Sequence, residues 1–155
     1  MMRRRTDKSL SSVFLSFLTL ASACASFGAD SNARFRDWRI YSGEAAGTKY
    51  SALNQINRSN VASLKPAWIY RCDDMRARPA STIECNPIVI DGLMFITTGG
   101  LKVVALDAAT GVQRWVFDAW DGKGGRGVNR GVTHWGSGNE ARIFFVAGNF
   151  LYALN

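Results

Sequence analysis

Three kinds of side chain in this 155-residue sequence can do more than pack: thiols, a single imidazole, and a tight constellation of aspartate, threonine, glycine and tryptophan. Cys72 and Cys85, with twelve residues between them, suit either a disulfide closing a short loop in an oxidising compartment or two buried thiols acting as small hydrophobes. They form no C-x-x-C, and no His/Cys cluster suggests zinc. His134 is the only histidine, and a lone histidine in a strand suits a packed role better than a catalytic one. From Ala105 to Trp115 the run A-L-D-A-A-T-G-V-Q-R-W places Asp107 and Thr110 where both can hydrogen-bond within one turn. Gly111 supplies a permissive backbone there, and Trp115 offers a flat apolar surface to a neighbouring layer.

Such residues need elements to position them, and the sequence reads as short strands. After a polar stretch from Asp37 to Asn60, apolar segments rich in β-branched and aromatic residues alternate with turn formers. One isolated strand is predicted at Ala67–Arg71. A four-strand meander follows at Pro87–Ile90, Leu93–Thr98, Lys102–Asp107 and Gln113–Asp118. After a glycine-rich loop, a three-strand meander is predicted at Val132–Trp135, Arg142–Val146 and Phe150–Leu154. A shift of 48 residues lays Gly148 on Gly100, Ala153 on Ala105 and Leu154 on Leu106. A period of that length with four strands per unit predicts an all-β, β-propeller fold, with a first blade over 86–118 and an incomplete second over 131–155. The second unit stops before its outer strand, so the sequence reads as the N-terminal piece of a longer propeller.

With 47% hydrophobic and 20% charged residues, the composition is that of a folded domain. The net charge of +7 is scattered, without block or stripe, and predicts no nucleic-acid partner. Part of it lies in a basic start, Arg3 to Arg5, followed by an apolar run from Leu10 to Ala21 and then small residues. That layout predicts a secretory signal peptide over 1–25, followed by an extended segment over 26–66 and the propeller portion from 67 to 155. The expected compartment is the periplasm. Cleavage after Ala23 would expose Cys24, and L-A-S-A-C resembles a permissive lipobox, so membrane anchoring through a lipidated Cys24 is a second option.

The motif from Ala105 to Trp115 matches the tryptophan-docking pattern A-x-D-x-x-T-G-x-x-x-W of quinoprotein alcohol and glucose dehydrogenases, through Ala105, Asp107, Thr110, Gly111 and Trp115. The stretch from Asp37 to Asn57 resembles the opening of mature members of that family, and N-V-A-S-L-K-P-A-W-I-Y its lead into the first strand. The resemblance implies an eight-bladed propeller, about two blades of which are present, with the Ala67–Arg71 strand completing the last blade. It implies pyrroloquinoline quinone (PQQ) as cofactor, with Glu84 and Arg130 at positions whose family counterparts contact it. A guanidinium fork suits a planar tricarboxylate. It further implies calcium in the parent protein, an alcohol or sugar substrate, and a cytochrome or ubiquinone as respiratory electron acceptor. The family's catalytic aspartate and calcium ligands belong to later blades, so no catalytic residue and no metal ligand is expected in this chain.

One departure bears on substrate. Alcohol-oxidising relatives often carry an adjacent cysteine pair five and six residues before the arginine, and here those positions are Gly124 and Gly125. The sugar or polyol side of the family is therefore favoured. A rival reading is a non-enzymatic propeller lipoprotein that scaffolds outer-membrane protein assembly; the Glu84 and Arg130 contexts argue against it. An exported sugar-binding β-domain is weaker still, because docking already explains the tryptophans.

Overall fold

The computed structural model describes residues 37–155. The signal peptide and Cys24 lie outside the described residues. Seven strands form two antiparallel meanders: β1 (Ile88–Ile90), β2 (Leu93–Thr97), β3 (Val103–Asp107) and β4 (Gln113–Phe117) in one sheet, β5 (Thr133–Trp135), β6 (Arg142–Ala147) and β7 (Phe150–Leu154) in the other. Within each sheet every strand is joined to its sequence neighbour, which is the order within a propeller blade. Asp91 and Gly92, both at positive φ, make the two-residue hairpin between β1 and β2. Such a turn matches the twist of the strands it joins, and an Asp-Gly pair tolerates the conformation.

Side-chain alternation fixes which faces meet. Ile88 and Ile90 of β1, Phe95 of β2, and Val103 and Ala105 of β3 are buried with Val132, Ile143, Phe145 and Ala147 in one cluster spanning both sheets. Aromatic rings bridge them: Phe117 stands 6.5 Å from Phe145, edge-on, and 5.0 Å from Tyr152. Neither sheet buries its apolar face alone, and stacking one on the other supplies the core. Val104 and Leu106, pointing the opposite way along β3, are also buried. Both faces of β3 are therefore covered, and this strand reads as a continuous apolar run, whereas the edge strand β4 keeps Gln113, Arg114 and Val116 exposed.

Ala67–Arg71 is not a strand. Trp68 and Tyr70 turn toward the first sheet while Ile69 is 73% exposed, so the alternation is strand-like. A strand needs a partner ladder, however, and no backbone pairing forms at this segment among the described residues. The inner edge of the first sheet is instead touched by Trp38, whose N–H and C=O both bond to Val89, at 2.9 and 2.8 Å. Between β5 and β6 the chain makes one turn of 3-10 helix, Gly138–Glu140.

Candidate functional site

The Asp107 turn is a closed hydrogen-bond system. Asp107 Oδ1 accepts from the amides of Ala109 (3.2 Å) and Thr110 (3.0 Å) and from the Thr110 hydroxyl (2.9 Å). Its Oδ2 takes Arg114 Nη2 at 2.6 Å. The Arg114 bond first, and the Thr110 bonds next, hold the Asp107 carboxyl down at about 2. The turn presents Gly111, at φ +72, to the indole of Trp68: a Cβ built there would stand 2.5 Å from two of its ring carbons. Trp68 Nε1 donates to Ala108 O at 3.2 Å, and Tyr70 OH to Gln113 Oε1 at 2.6 Å.

The tryptophan docked on the motif is therefore Trp68, which sequence reasoning did not single out. Its signal was a second tryptophan alternating with a tyrosine just upstream. Trp115 packs 5.9 Å from Phe95 and lines an apolar cavity of about 180 Å³ between the sheets, together with Ile143, Leu154 and His134. His134 thus lies away from Arg130.

At the opposite end of the strands, Glu84 and Arg130 come together from 46 positions apart. Arg130 Nη2 is 3.6 Å from Glu84 Oε2, with the side chains 77% and 40% exposed. Backbone holds them: Asn86 N–H donates to Arg130 O at 3.0 Å. Gly131, at φ +123, lets the segments leading into β1 and β5 approach so closely that a Cβ there would stand 2.8 Å from Asn86 O. Asn129 locks the loop, its Oδ1 accepting from Gly131 N (2.7 Å) and its Nδ2 donating to Val146 O (3.2 Å). Asn86, Asn129 and Gly131 were missed, because only the paired backbone shows what they do.

Cys85 and Cys72 are both free thiols, so the disulfide considered from their spacing is not formed. The Cys85 sulfur instead accepts the Thr97 amide at 3.1 Å, tying the Glu84 segment to the end of β2. Burial, and then the charges of Asp74 and Asp73, push the Cys72 thiol up.

Gly124 and Gly125 have a steric cause. Gly124 sits at φ +68, and a Cβ on Gly125 would collide with Trp120 Nε1 and stand 2.8 Å from Leu101 Cδ1. A cysteine pair at these positions would have to displace the indole.

The exposed guanidinium of Arg130 is available to an anionic group. Arg130 makes one long ion pair and keeps most of its fork open. Arg76, whose Nη1 would stand 3.1 Å from a Cβ on Gly124, has its Nε buried without a hydrogen-bond partner. Among the described residues no group of three or more His, Cys, Asp or Glu side chains is placed to hold a metal ion.

The family model described as glucose/ethanol/alcohol dehydrogenase, β-propeller domain (PQQ), matches residues 38–155. Quinoprotein glucose dehydrogenase A of Acinetobacter calcoaceticus is 42% identical over 85 residues, 53% of this chain and 11% of that protein. Quinohemoprotein alcohol dehydrogenase of Comamonas testosteroni is 37% identical over 109 residues, 66% of this chain and 15% of that protein. The crystal structure of the quinohemoprotein alcohol dehydrogenase from Comamonas testosteroni superposes with a TM-score of 0.67 at 32% identity, covering 81% of this chain and 18% of that one. The chain thus spans between about a tenth and a fifth of the relatives it matches. The docking turn, the two blade-like meanders and the match over 38–155 together place the chain in the PQQ-dependent glucose/ethanol/alcohol dehydrogenase β-propeller family.

Proposed function

We propose that these residues form the opening blades of an exported quinoprotein dehydrogenase, a longer protein that oxidises an alcohol or sugar hydroxyl. The observation that carries this reading is the Glu84–Arg130 pair, held just before β1 and β5 by the Asn86–Arg130 backbone bond. When bound, PQQ would supply the two-electron acceptor for the substrate's carbinol carbon. Arg130 would grip one of its carboxylates, and Glu84 would orient that guanidinium and accept from the quinone's polar edge. The glycine-rich loop would let backbone approach a flat ring closely. Glucose or a polyol is the favoured substrate class, supported by Trp120 filling the space that a cysteine pair at 124 and 125 would need. Calcium and the proton-accepting base belong to later blades in this reading, and a cytochrome or ubiquinone takes the electrons. Export to the periplasm rests on the basic and apolar run before residue 26, with lipidation at Cys24 as its variant.

The test is reconstitution of the full-length protein with PQQ and calcium, followed by dye-linked oxidation of glucose and of ethanol. Quinone-dependent turnover, with glucose preferred and activity reduced in Arg130→Met, is expected. Saturating quinone that produces no turnover of either substrate would refute the assignment.

A further inference from the structure

The turn after β2 and the loop after β4 cross at three glycines. Gly125 N–H donates to Gly100 O at 2.8 Å. A Cβ on Gly100 would stand 2.6 Å from Asp74 Oδ2, one on Gly124 would stand 3.1 Å from Arg76 Nη1, and one on Gly125 would collide with Trp120 Nε1. The bare backbone therefore makes room for three polar side chains. Each of them holds a buried atom without a hydrogen-bond partner: Asp74 Oδ1, Arg76 Nε and Trp120 Nε1. Folded proteins seldom leave such atoms unmatched, because each costs its desolvation.

Arg76 is the most telling of the three. No ion pair among the described residues includes it, and Asp74, its nearest acid in sequence, is engaged by the Thr98 hydroxyl at 2.5 Å. Its backbone is clamped on both sides: Arg76 N–H donates to Ser81 Oγ at 2.8 Å, and Ser81 N–H to Arg76 O at 3.0 Å, with Ser81 buried. With its backbone pinned, a glycine cradle beside it and no carboxylate within ion-pair distance among the described residues, this guanidinium is open to an anion, while the Asp74 carboxylate of the same cradle is held by Thr98. The crossing also adjoins the Glu84–Arg130 pair. Thr98, which binds Asp74, follows Thr97, whose amide binds Cys85 beside Glu84.

We propose that Arg76 is a second guanidinium anchor, gripping a carboxylate of the quinone cofactor alongside Arg130, with the Trp120 indole N–H as an auxiliary donor. This rests on the reading of the chain as part of a quinoprotein dehydrogenase. It explains Gly124, Gly125 and the unmatched Arg76 Nε and Trp120 Nε1 donors as features of one subsite.

Equilibrium dialysis of the full-length protein against PQQ and against its trimethyl ester, which lacks the charged carboxylates, tests the proposal. Arg76→Met is expected to weaken PQQ binding on the order of 10- to 100-fold, the range for losing a charged hydrogen bond, while changing ester binding about twofold or less. Arg76→Lys should recover part of the loss, since it keeps the charge without the fork. Unchanged PQQ affinity in Arg76→Met, or an equal loss for quinone and ester, overturns the anchor and leaves the enzyme assignment standing. Wild-type protein that binds no PQQ removes both. Should Arg76→Met fail to fold, Arg76→Lys decides by the same comparison: a loss confined to the charged quinone supports the anchor, and a shared or absent loss overturns it.

Discussion

Gly111→Ala tests the docking turn through two effects that can be separated. At φ +72 an alanine bears the left-handed penalty, about 1–2 kcal/mol. Its Cβ would also meet the Trp68 ring at 2.5 Å, which no side-chain adjustment of alanine can relieve, so the indole must leave. Leaving gives up the Trp68 Nε1–Ala108 O bond, worth about 1 kcal/mol, and the apolar contact of a half-buried indole, roughly 1–2 kcal/mol. The single substitution should therefore cost about 3–5 kcal/mol. In a Trp68→Ala background only the backbone penalty remains, so the same substitution should cost about 1–2 kcal/mol. Urea unfolding of the full-length protein in the four variants of this cycle measures both. Equal costs in the two backgrounds would mean that Trp68 does not seat on Gly111, and the docking argument would fail.

Asp107 carries a pH signature. Its folded carboxyl is lowered to about 2, so its contribution is fully present above the unfolded value near 4 and is lost as pH falls toward 2. Asp107→Asn should lower the urea midpoint at pH 6, and the gap to wild type should shrink at pH 3; a constant gap would discount the ionised turn. Gly131→Ala would press its Cβ on Asn86 O and should lower both stability and quinone affinity, by about 2 kcal/mol or more in unfolding, whereas an unchanged melting curve would show that the approach is not tight. The Cys72 thiol, raised by burial and the neighbouring aspartates, should alkylate more slowly at pH 7 than a model thiol and speed up as pH rises above its displaced titration. Mass-resolved labelling that requires prior reduction of Cys72 and Cys85 would show instead that they pair.

The strands were legible because a half-buried sheet writes a period of two into the sequence, and β2, β3, β4, β6 and β7 begin and end within a residue of where the apolar runs predict. The docking turn was equally legible, since Asp107, Thr110 and Gly111 act within five residues and local chemistry dictates the loop. Ala67–Arg71 shows the limit: its pattern is that of a strand, but pairing depends on a partner that no local signal supplies. Glu84 and Arg130 could be named through a family motif, yet their approach depends on one backbone bond and on Gly131 between distant segments. Arg76 left no mark in the sequence at all. By itself, the sequence determined the strand order, the propeller class and the docking turn, which follow from periodicity and nearest-neighbour hydrogen bonding. Only the tertiary structure decided that Trp68 is the docked ring, that the two thiols stay unbonded, and that a guanidinium without an ion pair lies under the glycine crossing. Those outcomes depend on which distant surfaces exclude water from one another.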